Sequence, residues 1–228
     1  MVTVISLGGS IVAPDGVDTA FLRGFTETIR DLLEADDTQR FIFVVGGGGP
    51  ARTWQNAYRE VCTGTVINDE ADWIGVMATR LNAQPVKAVM AEWCSQDVVT
   101  DPTAARPIAG KVLVAAGWKP GFSSDNDAVL LAERFKAGIV INLSNIEKVY
   151  TADPKTDPNA KPLDSISWAD FRAMVGNEWI PGTNVPFDPI ASRHAEEIGL
   201  KVICAAGRDL ENLRKIISGS DFTGTIIG

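Results

Sequence analysis

The sequence predicts an α/β protein, a three-layer α/β/α sandwich around a mainly parallel sheet. Three observations predict it. Short runs rich in β-branched and aromatic residues recur along the chain, as in Phe41-Ile-Phe-Val-Val45 and Gly138-Ile-Val-Ile-Asn-Leu143. Stretches with apolar residues at helical spacing separate them. Glycines follow the first two such runs directly, at Gly8-Gly9 and at Gly46 to Gly49. Strands that alternate with helices pair in parallel through crossovers.

Taken in order, Thr3-Val-Ile-Ser-Leu7 reads as the first strand and Gly8-Gly9-Ser10 as a turn. Phe21, Phe25, Ile29, Leu32 and Leu33 then mark a helix, with Asp18 or Thr19 as its cap. Phe41 to Val45 is the second strand. This strand-helix-strand unit places both glycine turns at the carboxyl ends of their strands, the edge where open α/β sheets bind ligands. Residues 51–61 and 70–82 read as helices, and Pro85-Val-Lys-Ala-Val-Met90 reads as a strand. Lys111-Val-Leu-Val-Ala115 is a further strand, followed by the turn-rich Gly117 to Ser124. Residues 127–136 are helical and 138–143 form a strand. Residues 151–162 carry three prolines and several Asp and Asn residues, the composition of an irregular surface loop. A helix over 189–198, strand Lys201-Val-Ile-Cys204, another helix and Gly224-Thr-Ile-Ile-Gly228 complete one domain.

Composition narrows the chemistry. A length of 228 residues with 45% hydrophobic content is enough to bury a large core. A net charge of −8 argues against nucleic acid and anionic membranes as partners, since both require clustered Lys and Arg. Three separated cysteines form neither a disulfide framework nor a zinc site, so reduced thiols in a cytoplasmic protein are expected. No apolar stretch approaches the length of a membrane span.

Four glycines in a row carry an entropic cost that some use must offset. Bare N–H groups at a strand end suit a phosphate. Neither the P-loop nor the dinucleotide fingerprint is present. Arg52 lies at the start of a helix three residues past the last glycine, where a guanidinium and free helix N–H groups converge on phosphate oxygens. Asp72 and Thr79 are seven apart and share a helix face. Pro120-Gly-Phe-Ser-Ser-Asp125 sets two hydroxyls and a carboxylate before a helix, where capping by Ser124 or Asp125 is the plain explanation. His194 has no partner histidine or cysteine and reads as packing or surface.

Together these motifs resemble the amino-acid kinase superfamily, and within it the uridylate kinases, especially the archaeal type. The resemblance rests on Leu7-Gly-Gly-Ser10, Val44 to Arg52, Asp72-Trp-Ile-Gly75 with Ala78 to Ala83, Pro120 to Asp125, Val149 to Lys155 with Asp157 to Lys161, Phe187-Asp-Pro-Ile-Ala191 and Gly224-Thr225. It implies transfer from ATP to UMP with Mg²⁺, in a homohexamer built from dimers. It also implies an acceptor-binding part over about 1–118 and an ATP-binding part over about 119–228. By position, Gly8, Gly9 and Ser10 would cradle the transferring phosphates. Gly47, Gly48 and Arg52 would hold the acceptor phosphate, and Asp72 the ribose. Ser123 and Ser124 stand where the family usually has threonines and would meet the uracil or the acceptor. Asp125 would organise the metal and lysine environment, and Asn145, Tyr150, Asp153 and Pro154 would border ATP. No metal ligand is assigned to the protein.

The chain also departs from the pattern. The superfamily often has a lysine where this chain has Ser6, and Glu147 and Lys148 replace an aspartate and a glycine. Lys148 is therefore the candidate replacement cation. Other acceptors within the superfamily, and a non-catalytic oxyanion-binding relative like the molybdenum storage proteins, are the alternatives.

Overall fold

The computed structural model describes residues 1–178 and 185–228. Strands β1 (Val2–Leu7), β2 (Arg40–Val45), β3 (Val112–Ala116), β4 (Ile139–Ser144), β7 (Ser165–Ile166), β8 (Lys201–Ala206) and β9 (Thr225–Ile227) form one seven-stranded sheet in the order β3-β2-β1-β4-β8-β9-β7. Every pairing in it is parallel except that of β8 with β9. Two short strands, β5 (Val149–Tyr150) and β6 (Pro162–Leu163), pair beside it.

The central strands are apolar on both faces because helices cover both. On one face, Ile5, Leu7, Phe41, Phe43 and Val45 pack beneath α2 (Thr19–Ala35) and α8 (Leu210–Ser218). On the other, Val4, Ile42, Val44 and Val140 pack beneath α5 (Ser124–Phe135), α6 (Trp168–Val175) and α7 (Pro189–Glu197). The expected three-layer sandwich is thereby observed. Asp18 caps α2 by accepting from the Phe21 N–H at 2.9 Å.

Two expectations need correction. Residues 85–90 are not a strand: α4 runs unbroken over Asn68–Val89, with Pro85 inside it. Ala83, Val86 and Met90 are buried at helical spacing, and that apolar contact with the sheet holds the helix across the proline. The backbone bond Pro85 cannot make is the one to Leu81, in an exposed turn where water can serve the carbonyl. The helix after the serines begins at Ser124 rather than 127, and its cap is Ser123, whose Oγ accepts from the Asn126 N–H at 3.2 Å. The four-residue helix α1 (Gly9–Val12) and α6 were not anticipated, because neither is long enough to display a period.

Helix α3 (Gly48–Val61) pairs with α4 beside the sheet edge formed by β2 and β3. Only Gly49 of α3 is buried. Trp54 on α3 and Trp73, Met77 and Leu81 on α4 stand exposed.

Candidate functional site

The two glycine turns meet at the carboxyl ends of β1 and β2 and interlock, backbone against backbone. A Cβ on Gly46 would lie 2.5 Å from the Gly9 nitrogen, and one on Gly9 would lie 2.6 Å from the Gly48 Cα. Gly48 has φ +60°, a left-handed conformation that side chains rarely adopt. The tetraglycine therefore serves close approach as well as turning.

Interlocking also sorts the N–H groups. Gly8 donates to Leu143 O at 2.9 Å, Gly46 to Leu7 O at 2.9 Å and Gly49 to Ala13 O at 2.8 Å. Among the described residues, no protein acceptor takes the N–H of Gly9, Ser10, Gly47 or Gly48. Asn82 braces the second turn from α4, its Nδ2 donating to Gly46 O at 3.0 Å and Gly47 O at 2.9 Å. Arg52 reaches across to the first turn's far side and donates to Pro14 O at 3.1 Å. The structure thus gathers Gly9, Ser10, Gly47, Gly48 and Arg52 at one junction, while the Gly8 N–H is already committed to Leu143 O.

Beneath that junction lies a buried polar cluster. Ser6 and Asn142 are register partners on β1 and β4. The Ser6 hydroxyl donates to Asp125 Oδ1 at 3.2 Å, and the Asn142 amide donates to Pro186 O at 3.0 Å. The Asp188 N–H donates to Asp125 Oδ2 at 3.3 Å, and the Asp188 carboxylate caps α7. Burial pushes the Asp125 carboxyl up to about 7, and repulsion from Asp188 adds to it; the two hydrogen bonds only partly oppose this. Asp188 carried no sequence assignment, although its Phe-Asp-Pro motif stood out.

The loop between β3 and α5 lies beside this cluster. Asp72 on α4 accepts from the Gly121 N–H at 2.7 Å, and Thr79 from the Gly117 N–H at 2.8 Å, so both residues of the shared helix face reach one loop. Trp118 and Phe122 pack with ring centroids 4.7 Å apart, and the Lys119 ammonium sits 3.9 Å from the Trp118 centroid. Ser123 is occupied as a cap, and Ser124 opens α5.

The remaining sequence candidates lie past β4. Asn145 is exposed in the bend after that strand. Tyr150 belongs to β5, while Asp153 and Pro154 sit in the turn that follows, where Asp153 accepts from the Lys155 N–H at 2.9 Å. Lys148 is ion-paired with Asp164, and no hydrogen bond joins it to Ser6 or Asp125. No cluster of three or more metal-ligating side chains occurs among the described residues. No helix of the described residues is long and apolar enough to cross a membrane.

The model of the amino acid kinase family matches residues 1–206. The chain is 34% identical to the uridylate kinase of Methanospirillum hungatei over 227 residues, covering 98% of this chain and 93% of that one. It is 34% identical to the uridylate kinase of Archaeoglobus fulgidus with full coverage of both. The crystal structure of the Archaeoglobus fulgidus enzyme superposes with a TM-score of 0.85 at 33% identity over all of both chains. The UMP kinase of Bacillus anthracis, at 19% identity and a TM-score of 0.78, shares the fold over all of this chain and 95% of its own. The chain belongs to the amino acid kinase family, and uridylate kinases are its relatives within it.

Proposed function

We propose that this chain is a uridylate kinase that transfers the γ-phosphoryl group of Mg²⁺-ATP to UMP, giving ADP and UDP for pyrimidine nucleotide synthesis in the cytoplasm. The observation that carries this reading is the set of four uncommitted N–H groups, from Gly9, Ser10, Gly47 and Gly48, where two glycine turns interlock. The identity to uridylate kinases over the whole chain supports UMP as the acceptor.

In-line phosphoryl transfer needs two phosphates held end to end and their charge offset, with no covalent intermediate. Gly47, Gly48 and Arg52 hold the acceptor phosphate, with Arg52 exchanging the Pro14 carbonyl for phosphate oxygens. Gly9 and Ser10 receive the transferring group. Asp72 meets the ribose, and Ser123 and Ser124 meet the base. Asn145, Tyr150, Asp153 and Pro154 border the donor nucleotide, which places ATP on the 119–228 side and the acceptor on the 1–118 side. Mg²⁺ arrives with ATP as part of the substrate and offsets charge on its β- and γ-oxygens.

Ser6 holds Asp125 in position, and Asp125 in turn fixes the start of the Asp188 segment. Lys148, paired with Asp164, is the candidate cation on the donor side. The exposed apolar side chains Trp73, Met77 and Leu81 of α4, four residues apart, support self-association, as the first contact of a hexamer made from dimers. Light scattering of Met77→Glu against the unaltered chain tests the assembly: a smaller particle is expected, and an unchanged mass contradicts that face.

The test of the function is UDP formation from UMP and Mg²⁺-ATP, followed by anion-exchange chromatography. ATP consumption without UDP would contradict the proposal.

A further inference from the structure

The segment 117–123 has glycines at 117 and 121, a proline at 120 and no regular structure, so its position depends on anchors outside itself. Arg80 supplies one. From α4 its Nε donates to Gly117 O at 3.2 Å and its Nη2 to Trp118 O at 2.7 Å, so one guanidinium fork grips two successive carbonyls. Asp127 supplies another from the opposite side. From α5 its Oδ2 accepts the Trp118 N–H at 3.1 Å. The peptide group between Gly117 and Trp118 is thereby held from both helices, by its carbonyl from Arg80 and by its N–H from Asp127, and the next carbonyl is held by Arg80 as well. Asp127 is almost wholly buried, and its Oδ1 has no partner among the described residues, so this carboxylate is not placed there for solvation. Arg80 also bridges outward: its guanidinium lies 5.7 Å from the Trp73 ring centroid, and Trp73 neighbours Asp72, which holds Gly121.

We propose that Arg80 and Asp127 are positioning residues for the acceptor, a two-sided clamp on Trp118 that sets where Ser123, Ser124 and Asp72 meet the incoming nucleotide. The choice of nucleotide rests on the uridylate kinase reading; the clamp itself does not. Neither residue touches substrate. Arg80 pairs with no carboxylate among the described residues; apart from a 4.0 Å contact of its Nη1 with Met77 Sδ, its hydrogen bonds go to the loop. The prolyl and glycyl residues that free the loop are adjacent to the residues that read the acceptor. A loose loop therefore weakens acceptor binding while leaving the donor side intact.

The test combines hydrogen exchange with steady-state kinetics on Arg80→Gln, Asp127→Ala and Asp127→Asn. Losing one arm exposes the amides of residues 117–119 and 121 to exchange about tenfold faster or more, with β1, β2 and β4 unchanged, as expected for loss of a charge-assisted bond. In the same variants the KM for UMP rises about tenfold or more, while kcat and the KM for ATP stay within about threefold. Asp127→Asn keeps an oxygen that can accept the Trp118 N–H and recovers most of what Asp127→Ala loses. Unchanged exchange in both Arg80→Gln and Asp127→Ala would overturn the clamp. Equal rises in both KM values, or a collapse of kcat alone, would overturn the acceptor-positioning role. Faster loop exchange in an enzyme silent toward UMP would support the clamp and overturn UMP as the acceptor.

Discussion

The hydroxyl of Ser6 donates to Asp125 Oδ1 at 3.2 Å and ties the first strand of the sheet to the second residue of α5. The resemblance to the superfamily sets Ser6 at a position where a lysine is expected. A neutral donor in that place leaves Asp125 without a cation, buried and beside Asp188, and its carboxyl rises to about 7.

Removing the donor makes this worse. Ser6→Ala raises the Asp125 pKa further and costs about 1–2 kcal/mol of stability at pH 8, because a buried charged acceptor loses its partner. Carboxyl titration followed by NMR, together with urea unfolding, checks both. An unchanged Asp125 pKa contradicts the coupling.

Ligand-free stability carries the sign of these shifts. Asp125 and Asp127 keep in the folded state a proton that the unfolded chain releases near 3.8, and they release it near 7. Between those values the folded state binds more protons, so stability falls as pH rises from about 4 to about 7 and levels off above. Each shift is on the order of 4 kcal/mol at full effect. Asp125→Asn flattens the slope and is more stable than the unaltered chain at pH 8, yet inactive in transfer. Thermal unfolding across pH without Mg²⁺ checks it; stability that rises over that window contradicts the burial of these acids.

Glycine substitutions separate packing from turning. Gly9→Ala and Gly48→Ala each cost about 3 kcal/mol or more, since the added methyl meets backbone in the interlocked turn and Gly48 also needs positive φ. Gly16→Ala meets nothing within 4 Å and is neutral or stabilising by about 0.5 kcal/mol. Denaturant midpoints rank them.

Arg52→Lys keeps the charge and loses the planar fork. The KM for UMP is expected to rise about tenfold, with the melting temperature unchanged because the side chain is exposed and its Pro14 bond is a surface one. A loss confined to ATP would place Arg52 on the donor side.

Much of this was legible in the sequence. Strands β1, β2, β4 and β8 announce themselves as β-branched runs, and the glycines after β1 and β2 mark the carboxyl edge, where open α/β sheets bind ligands. The strand read over 85–90 failed because Pro85 and Val86-Lys-Ala-Val89 look locally like a new element. Only the sheet beneath shows that Ala83, Val86 and Met90 continue the α4 face. The candidate phosphate glycines came together, but which of their N–H groups stay uncommitted depends on Leu7, Ala13 and Leu143, carbonyls no local pattern reveals. Arg80 and Asp127 were missed for the same reason. An arginine and an aspartate near the ends of helical stretches look solvated until Trp118 lies between them.

The most direct measurement is ADP release from the purified chain with Mg²⁺-ATP and a panel of UMP, CMP, dCMP, isopentenyl phosphate and acetylglutamate. Turnover with UMP at a kcat/KM at least about a hundredfold above every other acceptor is the predicted result, the ratio expected when a polar base is read by placed hydrogen bonds. Equal turnover on a non-nucleotide acceptor, or silence across the panel while ATP still binds, would contradict it.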